Sequence, residues 1–162
     1  MQNILGISLK VKHIGLAVLY QTGLIEFRVR TFYGVWTDEK RLDILRTIKK
    51  AVAQYEIATI VVKAPRPAHC SEPILTVLRD IERLAEQSKI KITFCTMADL
   101  TKLYNEDGRG NKRQLIQAIC KRYPSNKQLS LLCEKERSNK NPYHVKIFEA
   151  IACAELALRT EQ

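Results

Sequence analysis

The stretch Asn3-Ile-Leu-Gly-Ile-Ser-Leu-Lys-Val-Lys-His-Ile-Gly-Leu-Ala-Val-Leu-Tyr20 decides the fold. Two apolar runs, residues 4–7 and 14–20, flank a short polar turn, the pattern of a strand, a turn and a second strand. Beyond Thr22-Gly23, residues 24–33 alternate apolar with polar side chains and predict a third, half-exposed strand. Thr37 or Asp38 can cap a helix whose apolar positions Leu42, Leu45, Ile48 and Val52 recur every three to four residues. Ala58-Thr-Ile-Val-Val62 is a continuous apolar run, as buried parallel strands are, and Pro65 and Pro67 end it. Ser71 and Pro73 open a second helix through Ile74, Leu78, Ile81 and Ala85. Residues 90–96 predict a strand, and residues 97–104 one or two helical turns. A polar loop, 105–111, leads into a helix over 112–123 that Pro124 stops, and a last helix covers about 142–158. Residues 125–141 give no clear element. No internal repeat and no linker interrupts the order, so residues 1–162 are expected to form a single domain.

Charge is the second signal. Twenty-seven Lys and Arg oppose 17 Asp and Glu, a net charge of +10. A small chain this basic is suited to polyanions, because each phosphate contact releases condensed counterions; the same excess also suits a merely solvated surface. No run reaches the roughly 18 apolar residues of a membrane span. The N-terminus enters a strand directly, without the basic segment and apolar core of a secretory signal. Both absences point to a cytoplasmic protein. Cys70, Cys95, Cys120, Cys133 and Cys153 include no C-x-x-C pair and read as reduced, mostly buried thiols. His13, His69 and His144 have no partner at metal-ligand spacing. Tyr33, Trp36 and Tyr55 read as core or edge aromatics, with Tyr33 and Trp36 near Arg28 and Arg30 leaving room for base stacking.

A meander of three strands followed by helix, strand, helix, strand, helix is the order of an α/β ribonuclease H-like fold, a central mixed sheet of three antiparallel and further parallel strands flanked by helices, although the alternation also fits other α/β sheets and only the opening hairpin sharpens it. The opening hairpin resembles the RuvC-like, Holliday junction resolvase-like branch of that superfamily, where the pattern is Ile-Leu-Gly-Ile-Asp, a tight turn, then Gly and small residues. The resemblance covers most of the chain. Residues 41–63 look like the family's helix and fourth strand. Gly108-Arg-Gly-Asn-Lys-Arg-Gln-Leu115 is similar to its glycine-containing loop near bound DNA. Lys146-Ile-Phe-Glu-Ala-Ile-Ala-Cys-Ala154 matches Asp-x-x-Asp-Ala-hydrophobic-Ala. The resemblance places four metal-binding carboxylates at Ser8, Lys63, Lys146 and Glu149. Of these, only Glu149 is an acid.

That set contradicts the family's reaction. Two-metal phosphodiester hydrolysis needs carboxylate oxygens holding two Mg²⁺ roughly 4 Å apart. An ammonium offers no lone pair and repels a dication. No metal and no cofactor is therefore expected, and no catalytic residue, unless displaced acids such as Asp43, Glu72 or Asp99 serve instead. Glu149 reads either as a residual ligand or as an acid on the polar edge of the last helix, paired with Lys63 or with Lys146 on the same exposed face.

Gly108-Arg-Gly110 before Lys112 and Arg113 can cradle a phosphate at a helix N-terminus, although the spacing is not that of a Walker motif; a solvated loop is the alternative. Lys10 and Lys12 lie in the first turn and Arg66 follows the fourth strand. With Lys63, Arg109, Lys112 and Arg113 they form the candidate nucleic-acid-binding set. Lys121-Arg122 and residues 135–140 read as solvated charge. The expected function is non-catalytic binding of structured or branched nucleic acid, DNA favoured over RNA, through a basic face over a lost metal site. The alternatives are a protein–protein scaffold or homodimer on the same fold, and a Mg²⁺-dependent nuclease with displaced acids.

Overall fold

The computed structural model describes residues 2–10, 12–21, 23–63, 65–66, 68, 70–105, 110–139 and 142–161, without the side chains of residues 136–139, 142 and 143. Three antiparallel strands open the chain: β1 (Asn3–Leu9), β2 (His13–Tyr20) and β3 (Gly23–Thr31). Helix α1 (Asp38–Gln54) leads to β4 (Ile57–Lys63), which pairs parallel with β1. Helix α2 (Glu72–Gln87) leads to β5 (Lys91–Cys95), parallel to β4. The five strands lie in the order β3-β2-β1-β4-β5. Four helices complete the chain: α3 (Met97–Lys102), α4 (Lys112–Arg122), α5 (Lys127–Asn139) and α6 (Pro142–Thr160). The mixed sheet and its flanking helices are those the sequence pattern predicts. Residues 125–141 do contain a helix, α5, whose irregular apolar spacing hid it.

Alternation of side chains along the central strands sorts two cores. Leu5, Ile7, Ile14, Leu16, Ile60 and Val62 pack under α1 and α2 through Ile44, Ile48, Ile74, Val77 and Ile81. Ile4, Ala17, Leu19 and Val61 face α6, which α4 and α5 cover through Leu115, Ile119 and Leu129. Helix α6 is buried nearly all round: Phe148, Ala150, Ile151, Ala152, Cys153 and Ala154 are fully inside. Helix starts follow local chemistry. Thr37 accepts from the Lys40 amide, and capping boxes join Thr96 to Asp99 and Asn111 to Gln114. Among the described residues, no helix is long and apolar enough to cross a membrane.

Two glycines let α6 lie directly on the sheet. A Cβ on Gly6 would fall on the Ala150 carbonyl oxygen, and one on Gly15 on the Lys146 carbonyl oxygen. Gly15 pairs with Ser8 across the hairpin, and Ser8 pairs with Lys63 across the parallel ladder. The ends of β1 and β4 thus meet the first turns of α6.

Candidate functional site

Ser8, Lys63, Lys146 and Glu149 converge. Glu149 Oε2 accepts from the Ser8 hydroxyl at 2.5 Å, from Lys146 Nζ at 2.8 Å and from Lys63 Nζ at 3.1 Å. Lys112 Nζ, from the first residue of α4, lies 3.7 Å from Glu149 Oε1. Glu149 is fully buried and Lys146 nearly so, whereas 52% of the Lys112 side chain is exposed. The pair at positions 146 and 149 is therefore interior, contrary to the expected exposed helix edge, because the glycines draw this face of α6 onto the sheet. Glu149 joins both lysines rather than one of them.

One carboxylate offsets three ammonium groups. Burial by itself would raise the Glu149 carboxyl, but Lys146 and Lys63, with hydrogen bonds from Lys146 and Ser8, hold it down at about 2. Burial lowers the Lys146 ammonium to about 8, against the favourable field of Glu149 and with Lys63 pushing further down. Burial also lowers the His13 imidazole, as do Lys10, Lys146 and Lys12. This donor set does not suit a divalent metal: its single carboxylate is already claimed by ammonium groups, and the site carries excess positive charge. Of the displaced acids, Asp43 pairs with Arg46 at 2.7 Å and Asp99 closes its own capping box. Glu72 stands exposed in the first turn of α2. Among the described residues, no group of three His, Cys, Asp or Glu is placed to hold a metal ion.

Above the cluster opens a groove of about 800 Å³. Lys10, Lys12, Lys63, Arg66, Lys112 and Lys146 line it, together with Leu9, Pro65, Ile74 and Met97. Five of the seven candidate binding residues therefore share one surface. Arg113 is exposed on α4 outside this lining. Arg109, with Gly108, lies outside the described residues.

A second buried acid escaped the sequence reading. Glu155, fully buried on α6, accepts from the Tyr104 hydroxyl at 2.7 Å and the Tyr123 hydroxyl at 2.6 Å. Arg122 Nε lies 2.6 Å from it, so Arg122 is an ion-pair partner and not merely solvated charge. Burial and Glu155 together push both tyrosine hydroxyls well above their ordinary pKa. The cluster ties α6 to the residues just after α3 and to the C-terminal end of α4. Its sequence signal is an acid inside the apolar run Ala150-Ile-Ala-Cys-Ala-Glu-Leu-Ala157. The cysteines also differ from expectation: Cys120 and Cys133 join α4 to α5 as a disulfide with Cα atoms 6.6 Å apart, because helix α5 brings them together. Cys70, Cys95 and Cys153 are free.

No protein-family model and no curated protein sequence matches the chain. Solved structures do. Thermus thermophilus RuvC in complex with a Holliday junction substrate aligns with a TM-score of 0.77 at 13% identity, over 99% of this chain and 95% of that one. T. thermophilus RuvC in a second structure gives 0.75 at 12%, over 98% and 95%. Fowlpox virus resolvase with substrate Holliday junction DNA gives 0.64 at 9%, over 98% of both chains. Identities this low speak for the fold alone. The chain is similar along nearly its whole length to RuvC and to other Holliday junction resolvases, and its fold is ribonuclease H-like.

Proposed function

We propose that this protein binds structured or branched nucleic acid, DNA in preference to RNA, without cleaving it, and that the cationic groove over Glu149 is the contact surface. The observation that carries this reading is the inverted charge of the site: three ammonium groups surround one carboxylate, and two of them, Lys63 and Lys146, stand where the family resemblance calls for acids. Lys10, Lys12 and Arg66 extend that charge along the groove. Backbone phosphates suit such a surface, since bound counterions are released to solvent on contact. Resolvases of the same fold have been solved with Holliday junction DNA, which supports a branched ligand.

The test is fluorescence anisotropy with four-way, duplex and single-stranded DNA and RNA over a salt series, in Mg²⁺ and in EDTA. The expected result is tightest binding to branched DNA, no cleavage, and a log–log salt slope of about −4, near the ~0.9 per neutralised phosphate of polyelectrolyte release. Salt-insensitive self-association without DNA binding would overturn the proposal in favour of a scaffold. Mg²⁺-dependent cleavage abolished by Glu149→Ala would overturn it in favour of a nuclease.

A further inference from the structure

Between β3 and α1 the chain presents a tip, Tyr33-Gly34-Val35. Its flanks are packed and the tip itself is not. Phe32 is 7% exposed and Trp36 is half-buried against the core under α1 and α2, whereas Tyr33 and Val35 are each 83% exposed. The backbone is pinned on both sides. The Phe32 amide donates to the Lys12 carbonyl at 2.8 Å, the Arg30 guanidinium lies 5.3 Å over the Phe32 ring, and Lys40 Nζ donates to the Val35 carbonyl. Gly34 takes a φ of +81°, which a residue with a side chain adopts only at a cost. A ring left this far in water adds little to the core. On a held backbone, an aromatic side chain with two torsions offers a large contact surface at small entropic cost.

The tip adjoins one end of the cationic groove. Lys12, whose carbonyl holds Phe32, lines that groove, as does His13, whose Nδ1 lies 3.1 Å from Thr31 Oγ1 at the end of β3. Trp36 shares a small crevice with Lys10, which also lines the groove. The positive strip that begins at Lys112 and Lys63 therefore continues over the β1–β2 turn to the exposed Arg30, and Tyr33 stands at that end of it. The acids nearest along the chain, Asp38 and Glu39, belong to the first turn of α1, where Asp38 pairs with Arg41 at 3.7 Å. Cationic groups that track a backbone, with an aromatic face beside them, are the combination that holds unpaired bases, since every base has a π-face. A closed duplex keeps its bases stacked on one another and offers none. We infer that Tyr33 stacks on an unpaired base of the bound nucleic acid, beside phosphates held by Lys10, Lys12 and Arg30.

This inference rests on the nucleic-acid reading above, and one experiment separates the two. Three linear DNAs with identical ends are titrated with wild type, Tyr33→Ser and Tyr33→Phe: a continuous duplex, one with a central bulge of a single 2-aminopurine nucleotide, and one with an abasic bulge. The two bulged DNAs share phosphates and flexibility and differ only in the base. Wild type should bind the 2-aminopurine bulge roughly tenfold tighter than the abasic one, the order expected for one base on one ring, and should lower the 2-aminopurine fluorescence. Tyr33→Ser should lose most of that preference while its salt slope and its affinity for continuous duplex stay unchanged; Tyr33→Phe, which keeps the ring, should retain it. Equal wild-type affinity for the two bulges with normal salt dependence, or a preference that survives in Tyr33→Ser, would overturn the stacking role and leave the phosphate-binding groove standing. Self-association that Tyr33→Ser abolishes, without any base preference, would assign the tip to protein contact and overturn it as well. Failure to bind any of the three DNAs would overturn both readings.

Discussion

Glu149→Gln probes the centre of the site. The substitution preserves shape and removes only the negative charge. In the folded protein the carboxyl is held at about 2, against an ordinary value of 4.5. Each unit of difference corresponds to ~1.36 kcal/mol, so ionised Glu149 should contribute about 3 kcal/mol at neutral pH. The sign follows from a depressed acid: the contribution is complete above pH 4.5 and disappears as pH falls through 2. About half should remain at pH 3. Breaking a buried charge pair on one side generally costs ~3–5 kcal/mol, which agrees with this scale. Guanidinium unfolding of wild type and variant at pH 7, 5, 4 and 3 measures the difference. The expected gap is about 3 kcal/mol at pH 7, shrinking with acid towards half that value at pH 3. A gap below ~1 kcal/mol at pH 7, or one that does not change with pH, would refute the ion-pair account of this cluster.

Restoring the family's acids with Ser8→Asp, Lys63→Glu and Lys146→Asp together should create a Mn²⁺ site measurable by calorimetry, whereas Mn²⁺ should leave the wild-type melting temperature unchanged. A folded triple variant that binds no more Mn²⁺ than wild type would show that the positions do not match the family's ligands. Gly15→Ala should lower stability by at least ~3 kcal/mol, at or above the usual range for overpacking, because the added methyl meets the Lys146 backbone and no flexible side chain can yield; a melting temperature within a few degrees of wild type would contradict the close approach of α6. Neutralising Arg109, Lys112 and Arg113 together should weaken DNA binding similarly across sequences and flatten the salt slope, and unchanged affinity would move the contact surface elsewhere. Glu155→Gln removes the charge that Arg122 pairs with and weakens the bonds from Tyr104 and Tyr123, so thermal unfolding should shift down by several degrees; an unchanged melting temperature would mean that the cluster does not hold the end of α4 to α6.

The order of elements was readable from local patterns because each reports on its own backbone. Alternation in residues 24–33, the unbroken run at 58–62 and the spacing of Leu42, Leu45, Ile48 and Val52 each state which face must be buried. The cap at Thr37 states where the first helix begins. That Ser8, Lys63 and Lys146 are not acids was also a property of the sequence. Tertiary structure alone decided the environment of those residues. Lys146 and Glu149 look like an ordinary surface pair in the helix pattern, and Glu155 and Arg122 look like isolated charges. Lys146, Glu149 and Glu155 become interior because Gly6 and Gly15 admit α6 to the sheet and α4 closes over it, while Arg122 reaches Glu155 from the exposed surface. Cys120 and Cys133 meet for a similar reason, through a helix that shows no clear periodicity. Burial and charge pairing depend on which distant segments pack together, and local spacing along the chain does not encode that distance.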